Sequence, residues 1–417
     1  MSIPKLFHRN KPVRLISLIL AVAVAGWPAL ASTQEKPPIK IGVVLELTGR
    51  QANYGESSRR GIEMAADAFG DTTVGGRKVK FLVRDVQSDP QIVISALNEL
   101  VTSEQVNYLM GPCASPLASA AIPTWRQSKP LWIQFCGSSA RLSEAVGAED
   151  RFFHTFPYSN HYHEAEGAAL QHYLGPGKKA AIIYSDDEYG RGHIDSLTKA
   201  YQAAGIEVST KEVARIGTTD FSPILTKLSR SNPDVLVAMV QGADLTSLAK
   251  QIYARKLRAP YRVSGGAVQF DSFANAVGKD AQEGWIGPST YLPGVERAGD
   301  PKYPKLLPSS REWEQRFVKR YNREPDLIDV GAYVSAAMLL IALQRVDADD
   351  PNKVTAELAK LDVSTPLGRG RFQSMDGTKH QAFTDMMIFQ RQQGRPVVVY
   401  PTDLANKKLI PVQSAQE

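Results

Sequence analysis

Short apolar runs alternate with stretches of helical spacing along most of the chain. Residues 39–47 (IKIGVVLEL) are of strand length and end at Thr48-Gly49, and residues 55–69 follow with Ile62, Ala65, Ala66 and Phe69 on one helical face. After the Gly75-Gly76 turn, residues 79–84 form the next strand. Ser88-Asp89-Pro90 then opens a helix through Val101, with a capping side chain and proline in the first turn. Residues 108–110, 115–125 and 131–135 repeat the order strand, helix, strand. A right-handed crossover makes these two strands parallel. It brings their trailing loops, Cys113-Ala114-Ser115 and Cys136-Gly137-Ser138-Ser139, to one sheet edge.

The grammar then starts again. A helix ends at Leu174 before Gly175-Pro176-Gly177, and strands at 179–184, 206–213, 235–240 and 261–264 alternate with helices at 190–204, 221–231 and 245–256. Two cycles of this kind predict an α/β protein with two doubly wound lobes and not one large sheet. The tail departs from the rhythm. Residues 293–308 are proline-rich and polar, 311–321 carry Trp313, Phe317 and Tyr321 four apart, and 329–346 form the most apolar helix. Late strands at 365–372, 384–390 and 397–400 are expected to cross back between the lobes. The lobes are drawn as residues 38–157 with 288–364, and 158–287 with 365–417.

Residues 1–31 are set apart from this fold. Lys5, Arg9, Lys11 and Arg14 precede an apolar run at 15–27, and Ala29-Leu30-Ala31 fits a cleavage site, so the segment reads as a signal peptide removed after Ala31. No later segment approaches the roughly 20 apolar residues of a membrane helix. The expectation is an exported, soluble chain in the periplasm. Losing the four basic residues of the leader lowers the formal charge of +6 to +2. The remaining charges are interspersed, without the basic face that nucleic-acid binding requires. Cys113 and Cys136 are the only cysteines. A bridge across the tips of the two loops and a reduced pair both fit the sequence.

Small residues, hydroxyls and backbone N–H groups in those two loops make a seat for a small anion at strand ends and a helix N-terminus. Ser115 also suits a plain helix cap. His161-Tyr162-His163, with Glu164 and Glu166, would put two imidazoles on one face of a strand and suit zinc or copper. It equally suits a polar cleft wall, and no metal or cofactor is assigned. There is no G-x-S-x-G nucleophile elbow, Gly368-Arg369-Gly370 is a fragment of a dinucleotide fingerprint, and Asp186-Asp187-Glu188 reads as a helix cap. The reading is not an enzyme.

LELTGRQANYG, DVQSDPQIVISALNELV, MGPCAS, FCGSSARL, SDDEYGRG, EPDLIDVGAY and TPLGRGRFQSMDG occur in this order over nearly all of the chain after the leader. Together they resemble the periplasmic solute-binding proteins of branched-chain amino acid ABC importers. The resemblance implies a type I binding-protein fold, with two lobes joined by three crossovers and a small-molecule ligand in the cleft. It implies no catalytic residues, a monomer, and an inner-membrane ABC permease as partner; the same fold also serves ligand sensing at a membrane receptor. Position by position it places an aromatic ring at Tyr54 and a carboxylate seat at Ser115 and Ser138, with Cys136 and Gly137 alongside. Tyr189 falls where a second-lobe aromatic closes over the ligand, and Gln241 and Gly242 at a further second-lobe contact. Amino-acid binders of the family commonly hold the ligand ammonium with a carboxylate. At the matching loops this chain has Ser159-Asn160 and Gly266-Ala267, with no acid. A buried ammonium without a counter-charge costs several kcal/mol. A ligand without a free α-amino group is therefore expected, a small carboxylate or amide, aromatic ones included.

Overall fold

Two parallel-dominated sheets organise residues 36–412, the part of the chain that the computed structural model describes; the expected leader and residues 413–417 lie outside it. The first sheet is built from β1 (Ile39–Leu45), β2 (Val79–Asp85), β3 (Tyr108–Met110), β4 (Leu131–Gln134) and β5 (Phe152–His154). The second begins with β6 (Lys178–Ser185), β7 (Ile206–Ala214), β8 (Val235–Met239), β9 (Tyr261–Ser264) and β10 (Trp285–Ser289). Each core is wound the same way, in the orders β5-β4-β3-β1-β2 and β10-β9-β8-β6-β7. Both therefore carry a point of strand-order reversal where ligands gather at strand carboxyl ends.

The intervening helices are α1 (Ala52–Phe69), α2 (Pro90–Asn98), α3 (Ser115–Ser128), α4 (Ala140–Val146), α5 (Ser159–Leu174), α6 (Glu188–Ala203), α7 (Ser222–Arg230), α8 (Gly242–Ala254) and α9 (Asp271–Val277). Asp89 caps α2 by accepting from the Gln91 N–H at 2.7 Å, as the Ser-Asp-Pro signal suggests. His161 and His163 fall on α5 and not on a strand. Two residues apart on a helix they diverge: His161 meets Asp376 at 2.7 Å while His163 turns inward. The strand geometry that would let both hold one metal is thus absent.

The returning segment holds α10 (Ser310–Tyr321), α11 (Leu327–Arg345), α12 (Pro351–Ala359), the hairpin β11 (Asp362–Thr365) with β12 (Gly368–Arg371), and β13 (Gln373–Met375), β14 (Thr378–Gln381), β15 (Met387–Gln392) and β16 (Arg395–Tyr400). β13 and β14 extend the first sheet at β5, and β15 and β16 extend the second at β10. This corrects the expected boundaries, which gave everything from Thr365 onward to the second lobe and Pro288-Ser289 to the first. Short alternating strands carry no mark of the sheet edge they will join. The chain crosses between sheets three times: after β5, after β10, and between β14 and β15.

Among the described residues, α11 is long and apolar enough to cross a membrane, with a mean hydropathy of 1.8, against the expectation that no such segment follows the leader. Here it is a core helix. Its residues from Leu327 to Leu343 are all buried, and it lies on α1 so closely that a Cβ at Gly61 would sit 2.2 Å from the Asp329 carbonyl oxygen.

Candidate ligand-binding site

The carboxyl ends of β1, β3 and β4 face those of β6, β8 and β9 across a cavity. Tyr54, Ser115, Cys136, Ser138, Tyr189 and Gln241 line it, six of the eight residues expected from the sequence. Gly137 and Gly242 do not. The Gly137 N–H donates to Gln134 Oε1 at 3.0 Å, and its carbonyl accepts from His154 Nε2 at 2.8 Å, so that residue holds the loop's shape. Gly242 opens α8 at φ +62°, a left-handed backbone that favours glycine, with its N–H toward the Tyr54 phenol.

Cys113 and Cys136 are joined by a disulfide with Cα atoms 4.7 Å apart, which resolves the open alternative and ties the two anion-seat loops together. A second tie runs from the Ser139 N–H to Ser115 Oγ at 3.3 Å, and a third from Gln134 Nε2 to the Pro112 carbonyl at 2.7 Å. The seat is narrower than the sequence suggests. The Cys113 and Ala114 N–H groups donate to Glu46 at 3.2 and 2.8 Å, and the Cys136 N–H joins that of Gly137 on Gln134. Among the described residues, no protein acceptor takes the N–H of Ser115 or Ser138. Both residues line the cavity. Glu46 is fully buried, and desolvation pushes its carboxyl up to about 7 against the pull of the two N–H groups.

Sequence reasoning missed much of the apolar wall: Phe156 on the first crossover, Tyr162 on α5, Phe270 before α9, and Leu327 and Ile328 at the start of α11. The Phe270 ring meets the Tyr54 ring edge-on, with centroids 5.8 Å apart. The Asp326–Asp329 capping box fixes the first turn of α11, with Arg60 and Arg323 on its carboxylates. Gly266 and Ala267 stand on the wall where an acid was sought, and among the described lining residues none is acidic and none is Lys or Arg. Asp244 is engaged elsewhere, pairing with Arg50 and accepting from the Gly217 N–H. Gln241 Nε2 is buried without a partner and is a donor available to a ligand.

Behind Ser138 lies a further set that sequence reasoning did not connect. Ser138 Oγ is 3.0 Å from His193 Nε2, His193 Nδ1 is 2.9 Å from His163 Nε2, and His163 Nδ1 is 2.7 Å from Glu166 Oε2. Burial lowers both imidazoles well below their ordinary value and raises the Glu166 carboxyl. The available signal was weak: three polar residues on the inward faces of α5 and α6, where leucine or alanine is ordinary.

The lobes meet at the cleft mouth. Arg50 of the first pairs with Asp244 of the second, the Ala243 N–H donates to the Arg50 carbonyl at 3.3 Å, and Ser139 Oγ donates to Glu188 at 2.8 Å. Residues 38–396 match the family model described as periplasmic binding protein. The chain belongs to that family. This periplasmic binding protein is 24% identical over 373 residues to the leucine-, isoleucine-, valine-, threonine- and alanine-binding protein of Pseudomonas aeruginosa, covering 89% of this chain and 95% of that one. Its fold is shared with a branched-chain amino acid transporter substrate-binding protein of Streptococcus pneumoniae solved with isoleucine: TM-score 0.74, 20% identity, 87% of this chain and 100% of that one. A solute-binding protein of an R. palustris ABC transporter, solved with benzoate, is as similar: TM-score 0.75, 20% identity, 87% and 95% coverage. Relatives of this kind are binding proteins of transporters.

Proposed function

We propose that this binding protein captures a small organic acid or amide without a free α-amino group, aromatic ones included, and delivers it to an ABC permease of the inner membrane. The leader, removed after Ala31, sends the chain to the periplasm. The observation that carries the ligand class is the lining itself. Two unpartnered N–H groups and two serine hydroxyls stand on one wall and a free amide donor on another, with aromatic faces between them and no acid for an ammonium. Hydrogen bonds to a charged oxygen are worth roughly 1.5–3 kcal/mol each. The benzoate-bound neighbour supports the same class.

Capture of a branched-chain amino acid is the second reading, favoured by the relatives' names and by Glu46 directly behind the Cys113–Ala114 loop. A thermal-shift screen of isoleucine, leucine and valine against benzoate, 4-hydroxybenzoate, short-chain acids and benzamide separates the two. A ligand at about 100 times its dissociation constant adds about 2.7 kcal/mol to the unfolding free energy. The organic acids or the amide are expected to give the largest shift. The largest shift from an amino acid, with none from the acids or the amide, overturns the proposal.

A further inference from the structure

The edge of the second sheet opposite the cleft carries another cavity. Residues just before β9 and β10, the end of β15 and the segment Ile410-Pro411-Val412 line it. That last segment is held in place as a wall. The Ile410 N–H donates to Gln390 Oε1 at 3.0 Å and the Val412 N–H to the Pro260 carbonyl at 2.7 Å, while a Cβ at Gly284 would collide with Val412 Cγ2.

Two arginines stand on the wall, and they differ. Arg391 is 1% exposed and fully engaged, its guanidinium donating to Gln282 Oε1 at 3.0 and 2.7 Å and to the Val268, Gln269 and Gly394 carbonyls. Arg262, on β9, is 6% exposed, yet among the described residues no carboxylate pairs with it and its Nε has no acceptor. Desolvation lowers its guanidinium, with no acid or acceptor to offset the burial. A guanidinium stays charged in a protein, and burying that charge alone is costly. The acids of the same wall are engaged elsewhere. Glu283 takes the Gln393 and Gly394 N–H groups, and the exposed Asp280 accepts from the Tyr253 hydroxyl at 3.4 Å.

We infer that this cavity is a second ligand site, anchored by Arg262, for a small carboxylate carrying a short apolar chain. The planar fork of a guanidinium matches a carboxylate with two parallel hydrogen bonds. Leu257 and Val412 line the cavity with it, and Tyr253 and Ile410, 42% and 49% exposed, leave apolar surface open for the chain. Asp280 and Glu283 on the wall disfavour a dianion such as phosphate. The site is separate from the cleft: Arg262 stands near the start of β9, and the cleft wall at Gly266 follows its end.

The test is titration calorimetry of the whole chain with hexanoate, hexanamide and inorganic phosphate, joined to nuclear Overhauser contacts between hexanoate and the protein methyl groups. Hexanoate is expected to bind at least about tenfold more tightly than the amide or phosphate, with contacts to the Ile410 and Val412 methyls, whether or not the cleft also takes it. Arg262→Met, which keeps an unbranched side chain without the charge, should weaken this site by at least about tenfold and remove those contacts. The wild-type contacts and the comparison with the amide decide the matter even if that variant folds poorly. Hexanoate contacts confined to Leu327 and Ile328 place it in the cleft and overturn the inference. So do the absence of binding, amide or phosphate binding as tight as that of hexanoate, and contacts at Ile410 and Val412 that persist in Arg262→Met. Binding that appears only after residues 413–417 are removed gives the guanidinium to the chain's own tail and overturns it as well.

Discussion

Glu46 shows how one buried side chain shapes the seat. Its carboxyl takes two of the N–H groups that a reading of the loops alone leaves to a ligand. Desolvation holds it protonated up to about pH 7, so its contribution to stability is fully present below its unfolded value and is lost as pH rises through about 7. The loss is on the order of 3 kcal/mol. Urea unfolding at pH 4.5 and 7.5 should show the wild type losing that much more than Glu46→Gln over the same interval. Equal losses in the two proteins would contradict this role for Glu46. At this scale the small-residue loops pointed to Ser115 and Ser138, and the family resemblance to Tyr54 and Tyr189; all four reach the cavity. The sequence was silent on Gln134 and Glu46, because their roles depend on bonds to neighbouring loops that no spacing reveals.

Among the elements, α11 links the returning chain to the cleft. Asp326 accepts the Ile328 and Asp329 N–H groups at 2.9 and 3.0 Å, receives the Ser57 hydroxyl at 2.7 Å and faces Arg323 at 3.1 Å. Its loss removes a helix cap and one of the two carboxylates that hold the half-buried Arg323 guanidinium. Asp326→Ala should therefore cost about 2–4 kcal/mol in urea unfolding, and Asp326→Asn less, since the amide still caps. A cost under about 1 kcal/mol for the alanine variant would show that the cap is dispensable. The helix itself was plain in the sequence as the longest apolar stretch after the leader, though its burial was not. Apolarity on every face looks the same in a core helix and a membrane span. β13 and β14 were assigned to the wrong lobe for a related reason, since pairing with β5 joins residues more than 200 positions apart and the pattern within a strand records only its faces.

For the molecule as a whole, two similarly wound lobes and three crossings make a cleft that can open and close about short linking segments. Strand and helix alternation was enough to foresee the two α/β lobes, while the three crossings and the cleft were expected from the family resemblance. The contacts that bring the lobes together, Arg50 with Asp244 and Ser139 with Glu188, join residues far apart in the chain, and no spacing in the sequence pairs them. If these contacts belong to a closed state, the solute in the cleft should stabilise that state over an open one. Small-angle scattering of the leader-free chain, alone and saturated with the solute that gives the largest thermal shift, tests this most directly. The expected result is a smaller radius of gyration with solute, reversed on its removal. The same scattering curve with and without a solute that calorimetry shows to be bound would contradict closure of the lobes on their ligand.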